Sequence, residues 1–190
     1  SDSQSIHKVV DVSANVRSSH VMAVTSQGHV YVWGAGTLGQ LGLGDKEHRK
    51  SPTLLHSLVE EKVCIKQVAC GTHHSLAITS TGAVFAWGHN SCGQLGLGDR
   101  KERSKPELVK IPAQHVASAV QIAASQHSTI CLLDNYQVYT WGSCAAHKSS
   151  WVPTLASPVE NIEIVQIEVT NGLFAAISTK GEVYTLLWFC

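Results

Sequence analysis

Apolar and polar residues alternate along this chain in short bursts, and glycine-centred turns separate the bursts. The clearest run spans residues 63–109. Val63-Cys64-Ile65-Lys66-Gln67-Val68-Ala69 reads as a strand, Cys70-Gly71-Thr72-His73 as a turn, His74-Ser75-Leu76-Ala77-Ile78-Thr79 as a second strand, and Thr81-Gly82 as a turn into a third strand ending at Trp87. Val84, Phe85 and Trp87 are β-branched or aromatic, the side chains that fit a pleated, half-buried surface. Glycines at 88, 93, 96 and 98 follow, a density that suits a tight turn with positive φ, with Leu95 and Leu97 folding back onto the sheet. Pro106-Glu107-Leu108-Val109 is the fourth strand, placed at an edge by its proline.

The same order recurs. Val30-Tyr31-Val32-Trp33-Gly34 with Gly39-Gln40-Leu41-Gly42 stands before it, and Val138-Tyr139-Thr140-Trp141-Gly142 after it. Trp33 to Trp87 is 54 residues, and Trp87 to Trp141 is 54 again. A repeated unit of this length with four strands is the signature of a propeller blade, and no unit carries the i, i+3, i+4, i+7 apolar pattern of a helical solenoid. The units run over 9–62, 63–117, 118–162 and 163–190. The third departs from the others: Ser143 to Trp151 stands where the glycine run is due, so its turn must be built differently. The fourth has Leu186 where a tryptophan is due, and its Leu186-Leu187-Trp188-Phe189 tail is the most apolar stretch of the chain. The expected fold is all-β, a partial, open β-propeller of about three and a half four-stranded antiparallel blades.

Composition narrows the function. The 190 residues include 14 basic and 14 acidic side chains, which cancel and leave no electrostatic footprint for nucleic acid or an anionic membrane. No apolar run reaches the ~20 residues of a membrane helix, and the polar Ser1-Asp2-Ser3-Gln4-Ser5 is unlike a signal peptide, so the expectation is a cytoplasmic or nuclear protein without membrane insertion. With no initiator methionine, the chain is expected to be a fragment or a processed form. Six cysteines form no Cys-x-x-Cys pair and read as reduced thiols. Eleven histidines raise the question of metal, but His73 and His74 are adjacent and would point to opposite faces of a strand, and no zinc-type spacing completes a set. His20 and His74 share one repeat position, which suits a hydrogen bond anchoring a turn to backbone. No Gly-x-Ser-x-Gly elbow is present, and the glycine run ends in Asp99 instead of the Lys-Ser/Thr of a phosphate loop. No metal, cofactor or catalytic residue is assigned, and the chain is read as not an enzyme.

The pattern Gln67-Val68-Ala69-Cys70-Gly71, His74 to Thr79, Gly82, Val84-Phe85-Ala86-Trp87-Gly88 and Gly93-Gln94-Leu95-Gly96 resembles the repeat of the regulator of chromosome condensation family. The likeness covers most of 9–186, weakens in the third unit and is weakest in the fourth. The resemblance implies a propeller of about seven blades with no chemistry of its own. It further implies protein partners, among them small GTPases or ubiquitin-ligase components, and core roles for Trp33, Trp87 and Trp141. The family's exchange-factor wedge has no match here.

The recurrent polar feature outside the strands is the loop pair Asp45–Lys50 and Asp99–Lys105. Because both hold one place in the unit, both should emerge on one face, where loops on a rigid scaffold carry binding. The candidate partner-binding residues are Lys46, Glu47, Arg49, Arg100, Lys101, Glu102 and Arg103. The favoured function is a non-enzymatic protein–protein interaction scaffold, part of a larger adaptor or regulatory protein. The alternative is a guanine-nucleotide exchange factor for a small GTPase.

Overall fold

The computed structural model describes residues 8–14, 18–112, 117–144, 147–170 and 173–187. Four antiparallel sheets follow one another along the chain. The first holds β1 (Val9–Ala14), β2 (His20–Thr25), β3 (Val30–Gly34) and β4 (Arg49–Leu54); the second holds β5 (Ile65–Cys70), β6 (His74–Thr79), β7 (Val84–Gly88) and β8 (Arg103–Val109). The third holds β9 (Ala119–Ala124), β10 (Ser128–Leu133), β11 (Val138–Cys144) and β12 (His147–Leu155), and the last has β13 (Ile164–Thr170), β14 (Leu173–Ser178) and β15 (Val183–Leu187). Within every sheet the strands pair in sequence order, each antiparallel to the next. A short helix α1 (His56–Glu60), not foreseen in the sequence, links the first two sheets and buries Leu58.

The sheets stack face to face through their inner strands. β1 meets β5, β5 meets β9, and β9 meets β13, and one groove is lined by residues of all four, among them Val10, Lys66, Val120 and Val165. This is an open arc of propeller blades around an axis, as expected, with no closed sheet among the described residues.

Strand periodicity decides which core each side chain joins. In β6, Leu76 and Ile78 point toward the third sheet and pack with Ile122, Cys131 and Trp141, while Ala77 points the other way and packs with Met22, Leu41 and Trp87. A third core between the last two sheets gathers Ile130, Leu132, Ile164, Ile167 and Phe174. Each hydrophobic core thus belongs to a pair of blades.

Three expectations change. Trp87 and Trp141 are 0% and 1% exposed, but Trp33, on the flank of the first sheet that no described blade covers, is only half-buried. Arg49 and Arg103, read as loop residues, open strands β4 and β8 and pair with Gly34 and Gly88. Leu95 does not fold back on its own sheet alone: it is fully buried in the core shared with Trp141 of the next. In the third sheet, where the glycine turn stands in the first two, β11 and β12 extend along each other as a pair, with Cys144 opposite His147. Trp188 and Phe189 of the apolar tail lie outside the described residues.

Candidate functional site

The glycine turn is the joint between blades. After Trp33 the chain leaves β3 and Gly39-Gln40-Leu41-Gly42 is laid on the second sheet, where the Gln40 carbonyl accepts the Trp87 indole N–H at 2.9 Å and the Ser75 hydroxyl at 2.7 Å. One unit later the Gln94 carbonyl accepts Trp141 Nε1 at 2.9 Å and Thr129 Oγ1 at 2.8 Å. Close approach explains the glycines: a Cβ on Gly42 would stand 2.7 Å from the Trp87 indole nitrogen, one on Gly96 would stand 2.8 Å from that of Trp141, and both residues have positive φ.

The repeated histidines complete the joint. His20 Nε2 lies 2.7 Å from Ser75 Oγ, and His74 Nε2 lies 3.1 Å from Thr129 Oγ1. The Nε2 partners are therefore hydroxyls on the neighbouring sheet, and His20 Nδ1 lies 2.9 Å from the Ser18 hydroxyl of its own turn, instead of the turn backbone expected from sequence. Burial, with the nearby His73 adding to it, lowers the His20 pKa to about 4, and burial first, then the surrounding histidines, lowers that of His74 to about 3. Both rings are neutral at pH 7. Closer to the axis, Asp11 Oδ2 accepts the Val68 N–H at 2.9 Å and Gln121 bonds both the N–H and the carbonyl of Ile167, so inner strands are tied by side chains where no ladder joins them.

Above the joints runs a charged rim. His89 N donates to the His73 carbonyl and Ala35 N to that of Ser19, which places the β3–β4 and β7–β8 loops on the same face as the turns entering β2 and β6. There Asp45 accepts Arg49 Nη2 at 2.6 Å and the Glu47 N–H at 3.0 Å, and Asp99 accepts Arg103 Nη2 at 2.8 Å and the Lys101 N–H at 2.9 Å. These donors hold both carboxyls below the usual carboxylate range, the backbone N–H being the larger cause at Asp45 and Arg103 at Asp99. Arg103 also pairs with Glu107 at 2.7 Å.

The seven candidates divide accordingly. Lys46 and Glu102 meet across the two blades at 2.6 Å; Arg49 and Arg103 are held by their own loops' aspartates; Glu47 and Lys101 make no ion pair among the described residues. Arg100 donates from Nε to the Ser91 carbonyl, and its guanidinium carbon lies 5.8 Å from the centroid of the Trp151 ring. Trp151 is not among the seven candidates. Its carbonyl accepts the Gly98 N–H at 2.8 Å as Ser104 accepts Gly44, so it occupies the Ser104 position of its unit, and a tryptophan in place of serine was the available signal.

Among the described residues no group of three or more His, Cys, Asp or Glu is placed to hold a metal ion, and Cys64, Cys70, Cys92 and Cys131 are free thiols. Burial pushes the Cys70 and Cys131 thiols up to about 12, so neither is a nucleophile at neutral pH.

Comparison with known proteins agrees with this architecture. The chain is 40% identical over 177 residues to the ultraviolet-B receptor UVR8 of Arabidopsis thaliana, covering 90% of this chain and 39% of the receptor. It is 29% identical over 181 residues to the human E3 ubiquitin-protein ligase HERC2, covering 92% of this chain and 4% of the ligase, and 33% identical over 174 residues to the human probable E3 ubiquitin-protein ligase HERC3, covering 87% and 16%. The chain thus spans well under half the length of these relatives. Among solved structures, human WBSCR16 superposes with a TM-score of 0.84 at 27% identity, over 96% of this chain and 48% of that one. Prp20p of Saccharomyces cerevisiae superposes at 0.72 and 20% identity, over 95% and 45%, a likeness of fold. Models of the regulator of chromosome condensation repeat match residues 27–78 and 81–132, and a second model of that repeat matches 9–40 and 65–94. With the Trp-to-turn joint repeated at the same spacing, the chain belongs to the regulator of chromosome condensation (RCC1) repeat family.

Proposed function

We propose that this chain is a non-enzymatic protein–protein interaction scaffold, acting as a binding module of a larger adaptor or regulatory protein. The observation that carries the reading is a division of labour among polar residues. Those that recur and are buried, Gln40 and Gln94, His20 and His74, Ser75 and Thr129, bond one blade to the next. The charged side chains that vary between units lie on the exposed rim, carried by a rigid stack of sheets. Relatives named as ubiquitin ligases support a partner within that machinery.

Binding partners captured by cross-linking in cells, compared between the natural chain and an Arg100→Glu, Lys101→Glu double variant, test the proposal. Partners lost on charge reversal support it. Accelerated nucleotide release from a panel of small GTPases on adding the chain would replace it with the exchange-factor reading.

A further inference from the structure

The third blade breaks the repeat, and the break leaves an exposed aromatic. Where the second blade has Ser104 against the Gly39 turn, the third has Trp151 against the Gly93 turn. Its ring covers Gly93, yet the residue remains 44% exposed, and the adjacent Val152 is 49% exposed. Arg100 lies across the ring. Trp and Arg are, with Tyr, the residue types enriched among those that dominate binding energy.

The surrounding charges say what would bind. The carboxylates of this loop and of β8 are already engaged: Asp99 by Arg103, Glu102 by Lys46, and Glu107 by Arg103. Among the described residues Arg100 hydrogen-bonds through its Nε alone, to a neutral carbonyl, and Lys101 has no ion pair. The unbalanced charge beside the Trp151–Val152 surface is therefore positive, although the whole chain is neutral.

We propose that Trp151, Val152, Arg100 and Lys101 form a docking plate for a linear segment of a partner protein that carries an apolar side chain flanked by aspartate or glutamate. The apolar side chain packs on Trp151 and Val152, and the carboxylates pair with the guanidinium and the ammonium. The inference rests on the scaffold reading and specifies where and what it binds.

A displayed library of random peptides, selected on the 190-residue chain, tests it. The control is Trp151→Ser, which installs the residue found at this position in the second blade; a second control, Arg100→Glu with Lys101→Glu, leaves the apolar surface intact. All three residues are exposed, and circular dichroism verifies the fold. Enriched peptides are expected to combine an aromatic or aliphatic residue with neighbouring acids, to lose roughly tenfold or more in affinity on either variant, and to weaken with salt. Enrichment of basic or uncharged peptides, binding indifferent to both variants, or no enrichment at all would overturn the plate. Of these, peptides that bind elsewhere on the chain would leave the scaffold reading standing.

Discussion

The Gln40 main-chain carbonyl accepts the indole N–H of Trp87, 47 residues away on the next sheet, and the Ser75 hydroxyl shares the same oxygen. The pair closes a buried joint in which the indole also packs against Leu41 and Gly42. Removing the whole side chain in Trp87→Ala should cost ~3–5 kcal/mol, by lost burial and the cavity left behind. Trp87→Phe keeps most of the apolar contact and loses the donor, while Ser75 still serves the carbonyl, so about 1 kcal/mol is expected for the lost hydrogen bond. Urea denaturation of the two variants checks the ranking; equal losses would mean that the hydrogen bond carries the joint alone.

Gly96 lies against Trp141 in the equivalent joint with φ +73°. Gly96→Val adds a β-branched side chain both where positive φ costs ~1 kcal/mol or more and where the indole leaves no space. Lys101→Ala on the exposed rim should stay within about 0.5 kcal/mol of the parent. Thermal melts showing equal shifts for the two would refute the turn as a packed joint.

Ala35 stands where the second unit has His89, whose Nδ1 lies 3.1 Å from the Gln94 amide nitrogen. In the first unit the buried Gln40 Nε2 has no hydrogen-bond partner among the described residues. Ala35→His supplies the missing acceptor from a partly exposed position and should raise stability by roughly 1 kcal/mol. A drop in melting temperature would show that the ring cannot reach the amide.

Acid should loosen the joints. The folded-state pKa values of His20 and His74 fall to about 4 and about 3, against 6.5 for each group unperturbed, so below pH 6.5 the unfolded chain binds protons that the folded chain refuses. Stability is therefore fully present above 6.5 and declines as pH falls toward 4, by about 1.4 kcal/mol per histidine per pH unit at the steepest. Urea midpoints at pH 7, 6 and 5 measure the slope; His74→Asn should flatten it, and an unchanged slope would mean that other groups set the acid limit.

Both outer flanks of the arc are partly apolar. Tyr31 and Trp33 are half-buried on the first sheet, and Leu173 on β14 and Val183 on β15 are 36% and 67% exposed. Exposed apolar surface of this kind associates, so the chain by itself is expected to show a mass above 20.4 kDa that rises with concentration in light scattering. A stable monomer that binds no hydrophobic dye would count against open flanks.

How far the sequence could be read follows from where each interaction lies. The 54-residue spacing, the β-branched and aromatic run before each tryptophan and the glycine run announced strands, turns and blades because these are local patterns. The joints were not legible, since Gln40 and Trp87 belong to different units and a turn that docks on its neighbour looks in sequence like one that folds on itself. Repetition itself misled at Trp33: it matches Trp87 residue for residue, but no described turn covers it. Arg49 and Arg103 read as loop because of their charge, yet each lies in a strand with its guanidinium turned back to an aspartate. Of the rim, the sequence located the loops but not which charges were already paired, and Trp151 was hidden by the missing turn before it.

Solvent exchange of the indole N–H protons, followed by heteronuclear NMR with each signal assigned from its Trp→Phe variant, reads the joints directly. Trp87 and Trp141 donate to buried carbonyls at 2.9 Å and are expected to exchange slowly, whereas Trp151, which is 44% exposed, should exchange rapidly. Exchange at Trp87 and Trp141 as fast as at Trp151 would contradict a propeller whose blades are held together by its glycine turns.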